Sequence, residues 1–338
     1  MKLAHRAALL VTAAASLAPA ASAVTAAASV SAASTPPAQA SACRVTATVG
    51  VGGAPLGIAA NRITNTVYVT NETSDTVSVI SGQTNTVTAT IGVGIVPFAV
   101  AVNRKTDTIY VTNSTSGTVS VISGLTNKVT ATITVGSFPQ GIATNPKTNT
   151  IYVANDDQAG TVSVINGRTN KVTATITVGS FPQGIAANPK TNTIYVANGG
   201  FPGNILSVID GQTNTVTATV PIGTHATDVA INPRTSTVYV TNSGDGTVTV
   251  INGRTNTVTA TITAGASSVA ADPKTSTIYT TNGPFGTVSV IDGQTNTVTA
   301  TVPVGAGPDG VTVNLNTTTV YTANNIDNTV SVLACGRQ

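Results

Sequence analysis

Short apolar segments alternate with polar turns along nearly the whole chain, and the alternation repeats. Within one unit the segments read G-I-A-A-N, T-I-Y-V-A-N, T-V-S-V-I and V-T-A-T-I-T-V-G. Each is strand-length and rich in β-branched residues. The breaks are turn chemistry: N-P-K-T-N, a variable loop, then N-G-R-T-N or D-G-Q-T-N. No segment carries a 3.6-residue period and no leucine ladder exists, which excludes helical solenoids and horseshoes. The tyrosines set the phase. Tyr68, Tyr110, Tyr152, Tyr195, Tyr239, Tyr279 and Tyr321 occupy one repeat position, with a period of about 42 residues. Four short strands at that period describe a propeller blade. The prediction is an all-β, seven-bladed β-propeller with four antiparallel strands, a to d, in each blade.

Tyr-Val-Thr-Asn stands at 68–71, 110–113 and 239–242, and Tyr-Val-Ala-Asn at 152–155 and 195–198. These repeats resemble the YVTN β-propeller repeats of secreted and cell-surface proteins. The resemblance spans residues 43–335, with mild departures at Tyr279-Thr280-Thr281-Asn282 and Tyr321-Thr322-Ala323-Asn324. It implies a fold and an extracellular or surface setting, but no activity, since propellers host many functions. The absence of Trp excludes the tryptophan-aspartate repeat class.

The ends of the chain complete this picture. Lys2, His5 and Arg6 precede the apolar run Ala7 to Ala21, and Ala21-Ser22-Ala23 offers a cleavage site. Residues 1–23 are therefore expected to be a signal peptide, and the Ala/Ser/Pro-rich stretch 24–42 a leader or linker. The propeller is assigned to residues 43–338. Its last unit lacks a fourth strand, and Arg44-Val45-Thr46-Ala47-Thr48-Val49 is an orphan copy of one. Pairing the two completes blade seven and removes two exposed edges. Aligned to a complete unit, Cys335 falls where Gly82 sits and Cys43 where Asn85 sits. These are the first and fourth positions of a turn, with Cα atoms within about 7 Å, so a disulfide across the seam is predicted. A lipid-anchored Cys43 is the rival reading, and it would leave Cys335 alone.

Composition and charge then assign faces. Strand a is placed at the axis because Gly57, Ala59, Gly141, Ala143, Gly184 and Ala186 keep it slim. The a–b and c–d turns then emerge at one end, and the b–c and d–a connections at the other. Only 8% of residues are charged and the net charge is +3, too little to suggest nucleic acid. Yet the basic residues all fall at the a–b or c–d end, among them Arg104, Lys105, Lys147, Lys190, Arg234 and Lys274. Only Asp107, Asp210, Asp272 and Asp292 accompany them, and every other acid lies opposite. All five phenylalanines also lie in or beside the b–c and d–a connections. Phe138 and Phe181 are read as wedges between blades, and Phe201 and Phe285 as partner contacts.

The rim of the channel supplies the candidate ligand site: Leu56, Phe98, Gln140, Gln183, Thr227, Asp228, Ser267 and Asp309. The asparagines closing each strand b, such as Asn71 and Asn113, are read as structural turn-formers. Catalytic chemistry is thin, and no catalytic residue is assigned. His225, Asp228 and Asp309 form a weak alternative metal set. No cofactor is expected, with both cysteines in a disulfide and no Trp to stack a quinone. The expected protein is an extracellular, non-enzymatic binding scaffold. It is expected to be monomeric and not inserted in a membrane, with a cell-envelope polymer, a glycan or a protein as partner. The alternative is a metal-dependent lyase or lactonase at the channel mouth.

Overall fold

The computed structural model describes residues 43–336 except 201–203 and 266. The expected signal peptide, the leader and Phe201 lie outside the described residues. Seven four-stranded antiparallel sheets follow one another in sequence. In blade one the strands are β2 (Pro55–Asn61), β3 (Thr66–Asn71), β4 (Thr76–Ser81) and β5 (Thr86–Gly92), hydrogen-bonded in that order. The inner strand of each blade packs against the inner strands of its neighbours, which places strand a at the axis.

Burial explains the sequence of each strand. Strands b and c are covered on both sheet faces by adjacent blades, so T-V-Y-V-T-N and T-V-S-V-I-S are buried almost continuously. The outermost strand faces solvent along most of its length and buries mainly Ile91, so threonine dominates it. Each c–d pair carries a β-bulge, at Val79/Ile80 in blade one and Val121/Ile122 in blade two. A bulge adds twist and blunts the exposed outer edge.

The tight turns depend on left-handed residues. Asn65 and Asn85 have φ of 53° and 55°, and the same positions elsewhere are held mostly by Asn, which tolerates that conformation. The two turns of a blade are also tied together. Gly82 N–H donates to the Asn65 carbonyl at 2.8 Å, and a Cβ on Gly82 would approach the Asn65 side chain to 2.4 Å.

The core lies between blades, in seven clusters rather than one. Tyr68, Val77 and Val79 pack on Val100, Ile109 and Val111 of the next blade. The last cluster joins Tyr321, Val330 and Val332 to Ile58, Val67 and Val69 of blade one, so the ring closes with the same contact that builds it. The seven tyrosines are buried, as their repeat position predicts; Tyr195 Oη donates to the Gly253 carbonyl at 3.0 Å.

Closure follows the predicted route. β1 (Arg44–Gly50) pairs antiparallel with β28 (Thr329–Ala334), starting at Arg44 opposite Ala334. It completes a sheet with β26 (Pro308–Asn314) and β27 (Thr319–Asn324). Cys43 and Cys335 form a disulfide with Cα atoms 4.0 Å apart, joining positions 292 residues distant in sequence.

Candidate functional site

In six blades the second residue of strand a, and in blade six Ser267 just ahead of β22 (Val269–Asp272), reaches one cavity of about 310 Å³ at the d–a end of the channel. Leu56, Phe98, Gln140, Gln183, Thr227, Ser267 and Asp309 line it, with Asp228 beside Thr227. The predicted rim residues are thus brought together, one from each blade plus Asp228. The residue behind them explains how seven strands converge. A Cβ on Gly141 would lie 2.1 Å from the Gln183 carbonyl oxygen, and one on Gly310 2.2 Å from that of Leu56. Threonines of strand b then latch neighbouring rims: Thr70 donates to the Phe98 carbonyl at 2.9 Å and Thr112 to that of Gln140 at 2.7 Å.

The two rim aspartates differ. Asp228 turns into the seam with blade six. Its carboxylate accepts hydrogen bonds from Ser268 Oγ at 2.6 Å, the Val269 N–H at 3.0 Å and the Val229 N–H at 2.8 Å. Burial raises its pKa, and those three donors oppose the rise. For the Asp309 carboxylate no protein donor is present among the described residues. Burial, with the charges of Asp228 and Glu72, pushes it up to about 6. Asp156, which sequence reasoning placed only on a general acidic face, belongs to this neighbourhood as well. Gln140 Nε2 donates to its carboxylate; burial raises its pKa to about 6, opposed by that bond and assisted by Asp157. Its position just after Asn155, across the hairpin from Gln140, was the available signal.

The alternative metal set is not assembled. His225 is exposed, in a left-handed conformation with φ of 49°, and its charge acts on Asp245 rather than on the rim aspartates. Among the described residues no three His, Cys, Asp or Glu side chains gather as metal ligands. The wedge reading of two phenylalanines also needs correction. Phe138 and Phe181 are 58% and 42% exposed, because each takes the left-handed position before the strand-a proline, with φ of 48° and 52°. Phe285 is exposed in the 3-10 turn Gly283–Phe285. Of the described phenylalanines, only Phe98 lines the cavity.

At the opposite, a–b end the channel opens into a second cavity of about 350 Å³. Arg62, Arg104 and Lys274 stand over an apolar wall that includes Ala187, Ile231, Ala271 and Leu315. An adjoining groove presents Arg104, Lys105, Lys147 and Lys190, while Arg234 reaches the Lys274 carbonyl at 3.5 Å. Burial and the neighbouring Arg62 charge lower the Arg104 pKa. Nearby carboxylates are already hydrogen-bonded: Asp107 accepts from Asn61 Nδ2 of the neighbouring blade at 2.7 Å and Asp272 from the Lys274 N–H of its own turn at 2.8 Å.

No family model and no curated protein matches the chain. Solved structures do match, 1550 chains in all. One is a chain of Kuenenia stuttgartiensis hydrazine synthase, 21% identical, with a TM-score of 0.77, over 84% of this chain and 96% of that one. A likeness at that identity carries fold and no activity, and with the seven sheets above it makes this chain a seven-bladed β-propeller.

Proposed function

We propose that this chain is an extracellular, non-enzymatic binding module that docks through its a–b face onto an anionic cell-envelope polymer. The observation that carries this reading is the crowding of Arg62 and Arg104 at one channel mouth, with Lys274 beside them and Lys105, Lys147 and Lys190 alongside. Like charges brought together beside an apolar wall are relieved by an anion, and guanidinium groups bind phosphate or carboxylate oxygens in pairs. The opposite face, with exposed Phe138, Phe181 and Phe285, is left to meet a protein or glycan. Three features support an exported setting: the signal-like N-terminus, the Cys43–Cys335 disulfide, and the resemblance to YVTN repeats of secreted and surface proteins. The module acts as a monomer.

Co-sedimentation of the chain with purified cell envelope across a salt series tests this. Binding is expected to fall steeply as the Debye length shrinks from about 10 Å to about 3 Å between 0.1 and 1 M salt. It is expected to vanish when Lys105, Lys147, Lys190 and Lys274 are all changed to Glu. Binding that ignores salt, or survives those changes, would sink the proposal.

A further inference from the structure

We propose that the cavity at the d–a mouth is a binding site for a small organic cation, a primary ammonium carried on a hydroxylated body and seated against Asp309. This site lies at the opposite end of the channel from the proposed docking face and is independent of it.

The cavity is chemically zoned by blade. Asp228 and Asp309, from blades five and seven, make one arc acidic. Gln140 and Gln183 on blades three and four supply amides, while Leu56 and Phe98 on blades one and two supply an apolar wall. No Lys or Arg lines it, while Arg62, Arg104, Lys105, Lys147, Lys190 and Lys274 line the cavities of the a–b end. The local field therefore excludes anions and concentrates cations.

Within that field Asp309 is the cavity-lining carboxylate neither oxygen of which accepts a hydrogen bond from the described residues. Asp228 has three protein donors, and Asp156 takes the Gln140 amide on one oxygen while its Oδ1 is buried without a partner, which leaves the Gln140 side-chain Oε1 available to a ligand. Asp309 borders the cavity without a protein donor to its carboxylate among the described residues. A carboxylate taken out of water must find a partner or take up a proton, and a ligand ammonium supplies the partner. The body of the ligand then has hydrogen-bonding amides on one side and Phe98 on the other. A hard metal ion is a poorer occupant. It needs six or more oxygen ligands, and no ligand cluster forms among the described residues. A volume of about 310 Å³ sits at the small end of ligand pockets, which suits a monosaccharide-sized molecule.

The titratable groups facing Asp309 are Asp228 from β18 (Ala226–Asn232) and Glu72 from the 3-10 turn Glu72–Ser74, both carboxylates. The flanking blades bring Leu56 and Gly57 of β2 and Ser267 and Ser268 just ahead of β22 to the cavity, none of which titrates. Binding of a cation requires ionised Asp309, which titrates near pH 6. Affinity is therefore flat above pH 7 and about tenfold lower at pH 5.

Isothermal titration of the full chain with glucosamine, glucose and calcium chloride at pH 7 tests the proposal. Glucosamine is expected to bind saturably, and glucose at least tenfold more weakly. Asp309→Asn is expected to remove the preference and the acid limb of the pH profile, while Asp292→Asn, in a c–d turn where it accepts from the Gln294 N–H, keeps both. Thermal melting of each variant separates loss of binding from loss of fold. Equal binding of glucose and glucosamine, calcium binding in their place, or no saturable binding of either glucosamine or ethanolamine in the millimolar range would each overturn it. The Lys→Glu variants of the a–b face are expected to leave glucosamine binding intact, which keeps the two proposals separable.

Discussion

Asparagine 113 shows how a residue that repeats seven times can be more than a turn former. It is wholly buried. Its Nδ2 donates to Thr118 Oγ1 and Ser120 Oγ, both at 3.0 Å, while its Oδ1 accepts from the Gly94 N–H at 3.1 Å. The amide thus binds two strands of its own blade to the connection entering it. Asn113→Ala is expected to cost about 3 kcal/mol in urea unfolding, because the Gly94 N–H loses its acceptor and the Thr118 and Ser120 hydroxyls lose their donor. The asparagine repeat was legible in the sequence, but its role was not, since its partners lie on the facing strand and show only as a weak T-x-S pattern. Val96 carries the reverse lesson. A β-branched residue at φ of 57° is strained, so Val96→Asn is expected to stabilise by about 1 kcal/mol. The rim aspartate gives a pH test with a definite sign. Asp309 is raised from 3.8 to about 6 in the folded chain, so the folded state holds a proton that the unfolded chain releases. Ionised Asp309 therefore destabilises, and its penalty grows as pH rises from about 4 to 6. Asp309→Asn is expected to stabilise by on the order of 2 kcal/mol at pH 7 and to change little at pH 4, as read from denaturant midpoints.

Among elements, the inner strands were read well and blade six was not. Small residues at alternate positions of strand a marked it as the axial strand, because only a slim strand can repeat seven times around a narrow channel. The model for that reasoning is Gly141, whose added Cβ would meet the Gln183 backbone at 2.1 Å. Gly141→Ala is expected to cost about 1 to 3 kcal/mol through overpacking and to widen the d–a mouth, which a thermal melt and weakened ligand binding would register together. Blade six departs because its strand a keeps only β22 (Val269–Asp272) in the ladder. The segment lacks the Pro-x-Gly start of blades one, three, four and seven, and Ser267 and Ser268 instead exchange backbone hydrogen bonds with Thr281 at 3.0 and 3.1 Å. A pattern reading assigns the repeat and cannot see such a local exchange, since Ser-Ser is as compatible with a strand as with its absence. The positions of Phe138 and Phe181 were misread for a related reason. A phenylalanine before proline reads as core, yet the left-handed backbone there turns the ring outward.

For the whole molecule, the decisive element is the seam, where the ring depends on pairing between residues almost at opposite ends of the chain. β1 contributes six paired positions against β28, from Arg44 to Gly50. The connection after it is held too, since the Val51 N–H donates to the Asn328 carbonyl at 3.0 Å and the Ala54 N–H to Asn328 Oδ1 at 2.8 Å. These contacts equal those inside other blades, yet they must be made without the covalent turn that holds strands c and d together elsewhere. The disulfide restores that link. Because it spans 292 residues, its effect falls largely on the unfolded chain, and reduction or Cys43→Ser with Cys335→Ser is expected to cost about 2 to 5 kcal/mol. Hydrogen exchange distinguishes the routes by which that loss appears. If the seam is the weak point, amides of β1 and the outer half of β28 exchange first and blades two to five keep their protection, because each already has its own covalent turn. Uniform loss of protection across all blades would instead mean that the ring opens as one cooperative unit. A melting temperature unchanged by reductant would mean that the pairing of β1 alone closes the propeller.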